Sequence, residues 1–205
     1  MIKNSCKSVG IIGAGIQGVC TGLEIAKKGI PVTIFDRNEP GSMASYGNAG
    51  HFSPYAVVQL NRPDILYNIP KMLFSSYGPL AVKWSYVPKM IPWIFNFIKN
   101  SNTKSMLRTA KYMHQILDLS LDAYEDVFKE IDTSGLVEKK GIIYIWTNEN
   151  LKSRNLEIKT RDDLGVKQII ISKSEILDLE PNLQPIFDGG VLYDYGWHAR
   201  DPQKI

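Results

Sequence analysis

The sequence predicts an α/β fold that opens with a β-strand, an α-helix and a second, parallel β-strand. Three observations predict it. Residues 9–12 form a short apolar run, residues 16–26 place apolar side chains at helical spacing, and residues 32–35 are rich in β-branched and aromatic side chains. Two lysines and Gly29 follow the helical segment, which is typical of a helix end, where cations meet the negative end of the helix dipole.

A glycine pattern, G-A-G-I-Q-G at residues 13–18, lies between the first strand and the helix. Gly13 permits a tight turn, Gly15 lets a pyrophosphate approach the backbone, and Gly18 lets the helix pack closely on the sheet. Asp36 closes the second strand, where it can accept hydrogen bonds from a ribose hydroxyl pair and disfavours the 2′-phosphate of NADP. Because the helix N-terminus also offers N–H groups to phosphates, the unit is predicted to be Rossmann-like and to bind a dinucleotide.

Composition narrows the class of protein. The 205 residues, 44% hydrophobic and 22% charged, suffice for one large domain or one and a half small ones. A net charge of +3 gives no reason to expect a nucleic-acid partner. Cys6 and Cys20 have no ligand spacing, so we expect no metal site and no disulfide framework, and a reducing, cytoplasmic location. No apolar run reaches the ~20 residues of a membrane span.

The middle of the chain predicts mixed structure. Residues 37–55, rich in Gly, Ser and Asn, predict a loop, and prolines scattered through residues 56–100 exclude a long helix there. Residues 105–131 carry apolar side chains at steps of three and four and predict one long helix. Residues 137–146 predict two strands that turn at Lys140-Gly141.

The last third predicts alternating short elements. They are a polar helix over 150–164 ended by Gly165, a strand over 166–171, a short helix opened by a capping box at Ser172 and Glu175, a strand over 190–195 and a helix start at Asp201-Pro202.

The loop after Asp36 resembles a known family. Residues 41–54 read G-S-M-A-S-Y-G-N-A-G-H-F-S-P and are similar to the S-x-x-N-A-G-x-x-S-P loop of D-amino-acid dehydrogenase small subunits, in the FAD-dependent D-amino-acid oxidase-like superfamily. Further similar stretches are Y-G-P-L at 77–80 followed by Pro88 and Trp93, G-I-I-Y at 141–144, and E-P-N-L at 180–183 followed by G-G-V at 189–191. The resemblance covers the whole chain but only the N-terminal half of such enzymes.

The resemblance implies a divided and truncated architecture. Residues 1–60 would form the βαβ unit and flavin loop of a Rossmann-like FAD-binding domain. Residues 61–190 would form part of an α+β substrate or cap domain with a mixed or antiparallel sheet, and residues 191–205 would begin the return to the FAD domain. A C-terminal half, or a partner chain, would supply the rest, so the chain alone is expected to be inactive.

The resemblance also implies an activity. An FAD enzyme of this kind would oxidise the C–N bond of a D-amino acid, pass a hydride to the flavin and release a 2-oxo acid and ammonia. The electron acceptor could be a membrane quinone. The carboxylate-binding residues of the family lie mostly in the other half, so no catalytic residue is assigned here.

The cofactor-binding residues can be carried over position by position. Those implied are Gly13, Gly15 and Gly18 at the pyrophosphate, Asp36 at the adenosine ribose, Arg37 beside the adenine or ribose, and Ser45, Asn48, Ala49 and Gly50 along the pyrophosphate and flavin. His51 replaces the glutamine common at its place, and either a flavin or substrate contact or a solvated side chain is open for it. His114 and His198 are interpreted as having no site role.

Two other functions remain open. An NAD-dependent dehydrogenase shares the glycine pattern, although alternating strands and helices would then usually follow it. An inactive remnant or binding fragment is the second.

The stretch between Asp64 and Asp118 has no acidic residue. It carries seven basic and many aromatic side chains, the basic ones being Lys71, Lys83, Lys89, Lys99, Lys104, Arg108 and Lys111. This pattern predicts either a solvated basic face or a peripheral contact with the inner face of the cell membrane.

Overall fold

A computed structural model describes residues 7–75, 80–147 and 151–205. Cys6 and the Y-G-P part of the 77–80 stretch lie outside the described residues. The elements are, in chain order, β1 (Val9–Ile12), α1 (Ile16–Lys27), β2 (Val32–Phe35), β3 (His51–Phe52), α2 (Ile65–Phe74), α3 (Val87–Asn100), α4 (Thr103–Leu117), α5 (Ser120–Phe128), β4 (Val137–Glu138), β5 (Ile142–Trp146), α6 (Leu151–Asp163), β6 (Ile169–Ser172), α7 (Lys173–Leu179), β7 (Gly189–Tyr193) and β8 (Trp197–Ala199), with 3₁₀ turns at Trp84–Tyr86 and Pro202–Lys204.

The chain divides into two compact units. The first comprises residues 1–52, 122–140 and 197–205, and the second comprises residues 53–121 and 141–196. Residues 122–140, which the sequence assigned to the 61–190 segment, therefore lie in the first unit. The predicted domain boundaries stay a prediction about the whole protein.

The first unit opens with the predicted βαβ motif. β1 and β2 are parallel, with Val9 paired to Val32 and Ile12 to Phe35. Gly29 has a φ of +74° just after α1, which is the left-handed conformation that ends helices. The predicted strand bounds are confirmed. They could be predicted because the turn, the helix end and the strand composition are all features of neighbouring residues.

A second sheet of the first unit joins distant segments. β8 lies between β3 and β4 and is antiparallel to both. The helix α5 contacts this sheet, where the Phe52 ring meets the Tyr124 ring edge to face at 4.7 Å. The sequence predicted residues 37–55 as a loop and missed β3. Because β3 pairs with β8, near the other end of the described chain, no local pattern indicated this strand.

The second unit is built on the antiparallel sheet β5-β7-β6. One buried cluster comprises Tyr55, Val57, Val166, Val191 and Tyr193. The other comprises Ile171, Ile176 and Phe187. The Tyr55 and Tyr193 rings stack in the first cluster at 3.7 Å. Together with the βαβ motif, this antiparallel sheet gives the predicted fold class, a Rossmann-like α/β part and part of an α+β domain.

Two further predictions about elements were wrong. α3 runs for 14 residues with Pro88 in its first turn and Pro92 inside it. A proline in the first turn removes no helical hydrogen bond, and one inside removes only one, which the rest of the helix tolerates. The predicted helix over 105–131 is two helices, because the Ser120 hydroxyl donates to the Leu117 carbonyl at 2.6 Å where the chain turns.

β4 and β5 are the two strands predicted on either side of Lys140-Gly141, and Gly141 has a φ of +83° between them. The structure adds their partners, since β4 pairs with β8 and β5 pairs with β7. The capping box at Ser172 and Glu175 and the helix end at Gly165 are confirmed. None of the described helices has the length and hydrophobicity to cross a bilayer.

Candidate functional site: the glycine turn and the 41–50 loop

The glycine turn after β1 has the conformation that its residues predict. Gly13 has a φ of +107°, and its N–H donates to the Phe35 carbonyl at 2.8 Å. A Cβ at Gly18 would lie 1.9 Å from the Gly13 carbonyl oxygen, so only glycine allows α1 to pass this close to the turn. The first N–H groups of a helix have no partner inside the helix. The turn therefore presents bare backbone beside the first turn of α1, where Asp36 and Ser45 accept the Ala14 and Ile16 N–H groups, and close approach to such a helix N-terminus is what a pyrophosphate needs.

Asp36 holds the turn from the end of β2. One carboxylate oxygen accepts the Ala14 N–H at 2.7 Å and the other accepts the Asn38 N–H at 2.9 Å. These hydrogen bonds, led by the one from Ala14, hold the pKa of the Asp36 carboxyl below its usual value. A carboxylate has about four lone-pair sites, so this exposed group keeps capacity for a ribose hydroxyl pair.

The 41–50 loop is hydrogen-bonded to the same turn. The Ser45 hydroxyl accepts the Ile16 N–H at 3.0 Å, and the Gly41 N–H donates to the Ala14 carbonyl at 2.9 Å. Ser45 thus caps α1 from 29 residues away. The structure brings the loop and the glycine turn together as one hydrogen-bonded group.

The N-A-G part of the loop has its own internal bonds. The Asn48 side chain donates to the Ser45 carbonyl at 2.8 Å and accepts the Gly50 N–H at 2.7 Å. Gly50 has a φ of +65°, and a Cβ there would lie 2.5 Å from the Ala199 carbonyl oxygen. Asn48 therefore shapes the bend, and Gly50 allows β8 to pass beside it.

The remaining predicted residues of this loop are open to solvent. Arg37, Ala49 and His51 are exposed. A glycine turn without side chains, a helix N-terminus and an acidic side chain with spare acceptor capacity fit the phosphate and ribose parts of a flavin dinucleotide. Among the described residues, no three His, Cys, Asp or Glu side chains converge as metal ligands.

Sequence reasoning set His198 aside, but the structure places it beside His51. The two residues are paired across β3 and β8, and their ring centroids are 5.2 Å apart. Glu138 of β4 is the partner of His198 on the other side. Hydrogen bonds from Arg200 and then Lys140 lower the pKa of the Glu138 carboxyl. No local signal could have found this row, because the three residues come from strands far apart in the sequence.

A family model and individual relatives indicate the same protein family. The family described as DAO, FAD dependent oxidoreductase, matches residues 8–205. A D-amino-acid oxidase of Bradyrhizobium diazoefficiens is 32% identical over 201 residues, and a D-amino acid dehydrogenase of Helicobacter pylori is 28% identical over 199 residues. These alignments cover 96% and 97% of this chain and 47% of each relative. The chain thus spans about half the length of the curated relatives it matches.

Solved structures agree on the fold. Glycine oxidase from Geobacillus kaustophilus superposes with a TM-score of 0.55 at 18% identity, over 96% of this chain and 41% of that one. L-proline dehydrogenase from P. horikoshii superposes with a TM-score of 0.56 at 16% identity, over 96% and 38%. At such identities the likeness concerns the fold alone.

Proposed function

This chain belongs to the DAO family of FAD-dependent oxidoreductases, and on that premise we propose that the whole protein oxidises the C–N bond of a D-amino acid. FAD supplies the hydride acceptor when bound, and hydrolysis of the substrate imine then gives a 2-oxo acid and ammonia. The relatives named D-amino-acid oxidase and D-amino acid dehydrogenase support this substrate class.

One observation carries the proposal. The glycine turn and the 41–50 loop are joined by the Ser45–Ile16 and Asp36–Ala14 hydrogen bonds. A turn for a pyrophosphate and a loop typical of amino-acid-oxidising flavoenzymes therefore form one continuous surface. A nicotinamide enzyme would need the turn but not this loop, so the presence of both together favours FAD and an amine substrate.

We assign the binding roles as the resemblance implies them. The proposed contacts are Gly13, Gly15 and Gly18 with the pyrophosphate, Asp36 with the adenosine ribose, Arg37 with the adenine or ribose, Ser45, Asn48, Ala49 and Gly50 with the pyrophosphate and flavin, and His51 with the flavin or substrate. These residues bind and orient the cofactor, and the proposal places no proton-transfer group among them.

Binding is tested in the full-length protein with Gly15→Val. A Cβ at Gly15 would already lie 3.2 Å from the Ser45 hydroxyl, and a valine would fill the space that a pyrophosphate needs. We expect loss of the flavin absorption near ~450 nm that marks a bound flavin. Thr21→Val, which adds the same side chain on an exposed position of α1, is the control. Wild-type flavin stoichiometry in Gly15→Val would refute the assignment.

The substrate is tested by reduction of an artificial electron-accepting dye. We expect the full-length protein with FAD to reduce the dye and to form one 2-oxo acid and one ammonia for each D-amino acid consumed. Equal turnover of the L-enantiomers, or a strict need for NAD, would contradict the proposed reaction.

We propose further that residues 1–205 alone do not oxidise the substrate. The sheet of β1 and β2 leaves apolar side chains uncovered, with Ile12 94% exposed and Phe35 59% exposed.

We propose in addition that the enzyme contacts the inner face of the cell membrane and passes electrons to a quinone there. Support comes from the helical part of the second unit, where Trp84 is 67%, Trp93 58% and Phe95 66% exposed. Lys89 lies beside them, 5.7 Å from the centre of the Tyr86 ring. Exposed aromatic rings settle at a bilayer interface, and each lysine near an anionic surface adds about 1 kcal/mol.

Vesicle binding separates this surface from an ordinary solvated face. The full-length enzyme should sediment with vesicles containing anionic lipid and should be released by salt, which screens surface charge. Lys89→Glu should weaken that binding, whereas Lys159→Glu on α6, an equal change of charge at another exposed lysine, should not. Equal binding to neutral vesicles, or no binding to either, would contradict the proposal.

A further inference from the structure

A cavity of about 350 Å³ lies inside the second unit. Tyr144 and Trp146 of β5 and Tyr193 of β7 form its aromatic wall. Its described lining includes no residue of the glycine turn or of the 41–50 loop. The volume and the aromatic wall are typical of small-molecule sites, in which a few polar groups fix the orientation of the ligand.

Most of the charges in this cavity are already balanced. Arg62 forms an ion pair with Glu157, and its Nε lies 3.2 Å from an Asp64 carboxylate oxygen. Arg161 also reaches Glu157, with Nη2 3.4 Å from the second carboxylate oxygen. Two arginines and two carboxylates thus neutralise one another along one side of the cavity.

Arg154 of α6 adds one further positive charge to this cavity beyond those balanced pairs. Its guanidinium lies over the Trp146 ring, 4.7 Å from the ring centre. Among the described residues, no carboxylate forms an ion pair with it, and its Nη1 is shielded from solvent without a hydrogen-bond acceptor. A donor that is shielded from solvent without an acceptor destabilises the folded protein, and more so when it carries a charge, so a ligand that supplies an acceptor would bind favourably here.

We infer that this cavity binds a small organic carboxylate with an apolar body, held by Arg154. A guanidinium presents parallel N–H groups that match the two oxygens of a carboxylate. One surplus positive charge is balanced by one negative charge, which favours a carboxylate over a doubly charged phosphate. The aromatic wall then covers the apolar body of the ligand.

The test uses isothermal titration of the full-length, FAD-loaded protein with phenylacetate. Inorganic phosphate and uncharged phenylacetamide are the comparison ligands. We expect phenylacetate to bind and Arg154→Gln to weaken its binding about tenfold or more, the loss of a charge-assisted hydrogen bond. Arg154→Lys should recover part of the affinity. Lys159→Gln, which removes an equal charge from an exposed position of α6, should leave it unchanged.

A second variant separates the cavity from any carboxylate site at the flavin. Ala56→Phe should fill the cavity, since Ala56 lines it, and should block the Arg154-dependent binding without changing the flavin spectrum. Absence of phenylacetate binding to the wild type at millimolar concentration would overturn the inference. So would equal affinity in Arg154→Gln, or equal affinity for phosphate or phenylacetamide.

Discussion

Ser45 shows how one hydroxyl can hold two distant segments. It caps α1 through the Ile16 N–H, although 29 residues separate them. We expect Ser45→Ala to lower the free energy of unfolding by about 1 kcal/mol, the usual effect of removing a helix cap. Ser42→Ala is the matched control, since the exposed Ser42 hydroxyl donates only to the nearby Glu39 carbonyl. Denaturant unfolding of both variants checks the difference, and equal losses would contradict the capping role.

Asp36 gives a prediction about pH. Because hydrogen bonds from Ala14 and then Asn38 depress its folded-state pKa, this carboxylate stabilises the fold above its unfolded pKa of about 3.9. That contribution disappears as the pH falls through the lower folded-state pKa. Asp36→Asn should therefore reduce stability most near neutral pH, and its difference from the wild type should shrink below about pH 4. Unfolding curves at several pH values would show this, and a difference independent of pH would contradict it.

Among the elements, α3 lacks one backbone hydrogen bond that a substitution can restore. Pro92 lies exposed inside the helix and has no N–H to give to the carbonyl of Pro88 one turn earlier. Pro92→Ala should restore that bond and stabilise the helix by about 1–3 kcal/mol. Pro88→Ala is the control, because Pro88 stands in the first turn and should change stability little. Thermal unfolding followed by circular dichroism compares them, and a destabilised Pro92→Ala would show that the proline ring packs in a way the helix needs.

The elements also show what sequence can and cannot predict. The βαβ unit was predicted with its strand bounds, since turn, helix stop and strand composition are all local. β4 and β5 were predicted as strands but without their partners, because pairing with β8 and β7 depends on residues 43 to 62 positions away. The helix predicted over 105–131 is divided between Leu117 and Ser120, where the Ser120 hydroxyl donates to the Leu117 carbonyl, and apolar periodicity does not detect such a break.

For the candidate site, too, the sequence predicts local geometry but not contacts between distant segments. Gly13 and Gly18 have the tight turn and the close helix approach that the glycine pattern predicts, whereas the hydrogen bonds of Asp36 to Ala14 and Asn38 were not predicted, and the binding roles stay predictions. The proximity of His198 to His51 could not be foreseen, since it depends on strand pairing and not on spacing. The cavity around Arg154 could not be foreseen either, because its walls come from four segments, which are residues 55–64, β5, α6 and β7.

For the whole molecule, uncovered apolar strands predict self-association of residues 1–205. Ile12 and Phe35 stand exposed at the ends of β1 and β2, and β2 has an unpaired edge within the described sheet. Such edges attract other chains. We expect residues 1–205 to sediment as oligomers and to bind a hydrophobic dye that reports exposed apolar surface. A monodisperse, monomeric chain in sedimentation analysis would contradict this.

The position of β8 between β3 and β4 has a consequence for the order in which the chain folds. During synthesis the glycine turn and α1 emerge early, and the hydrogen-bond partners of the turn follow within 29 positions, so this part can form long before β8 is made. β3 must then wait, unpaired, until almost all of the described sequence has left the ribosome. Closing so long a loop is slow compared with forming a helix. We therefore expect refolding to show an early helical phase and a later phase that buries Trp197, and chaperones to act in the interval between them.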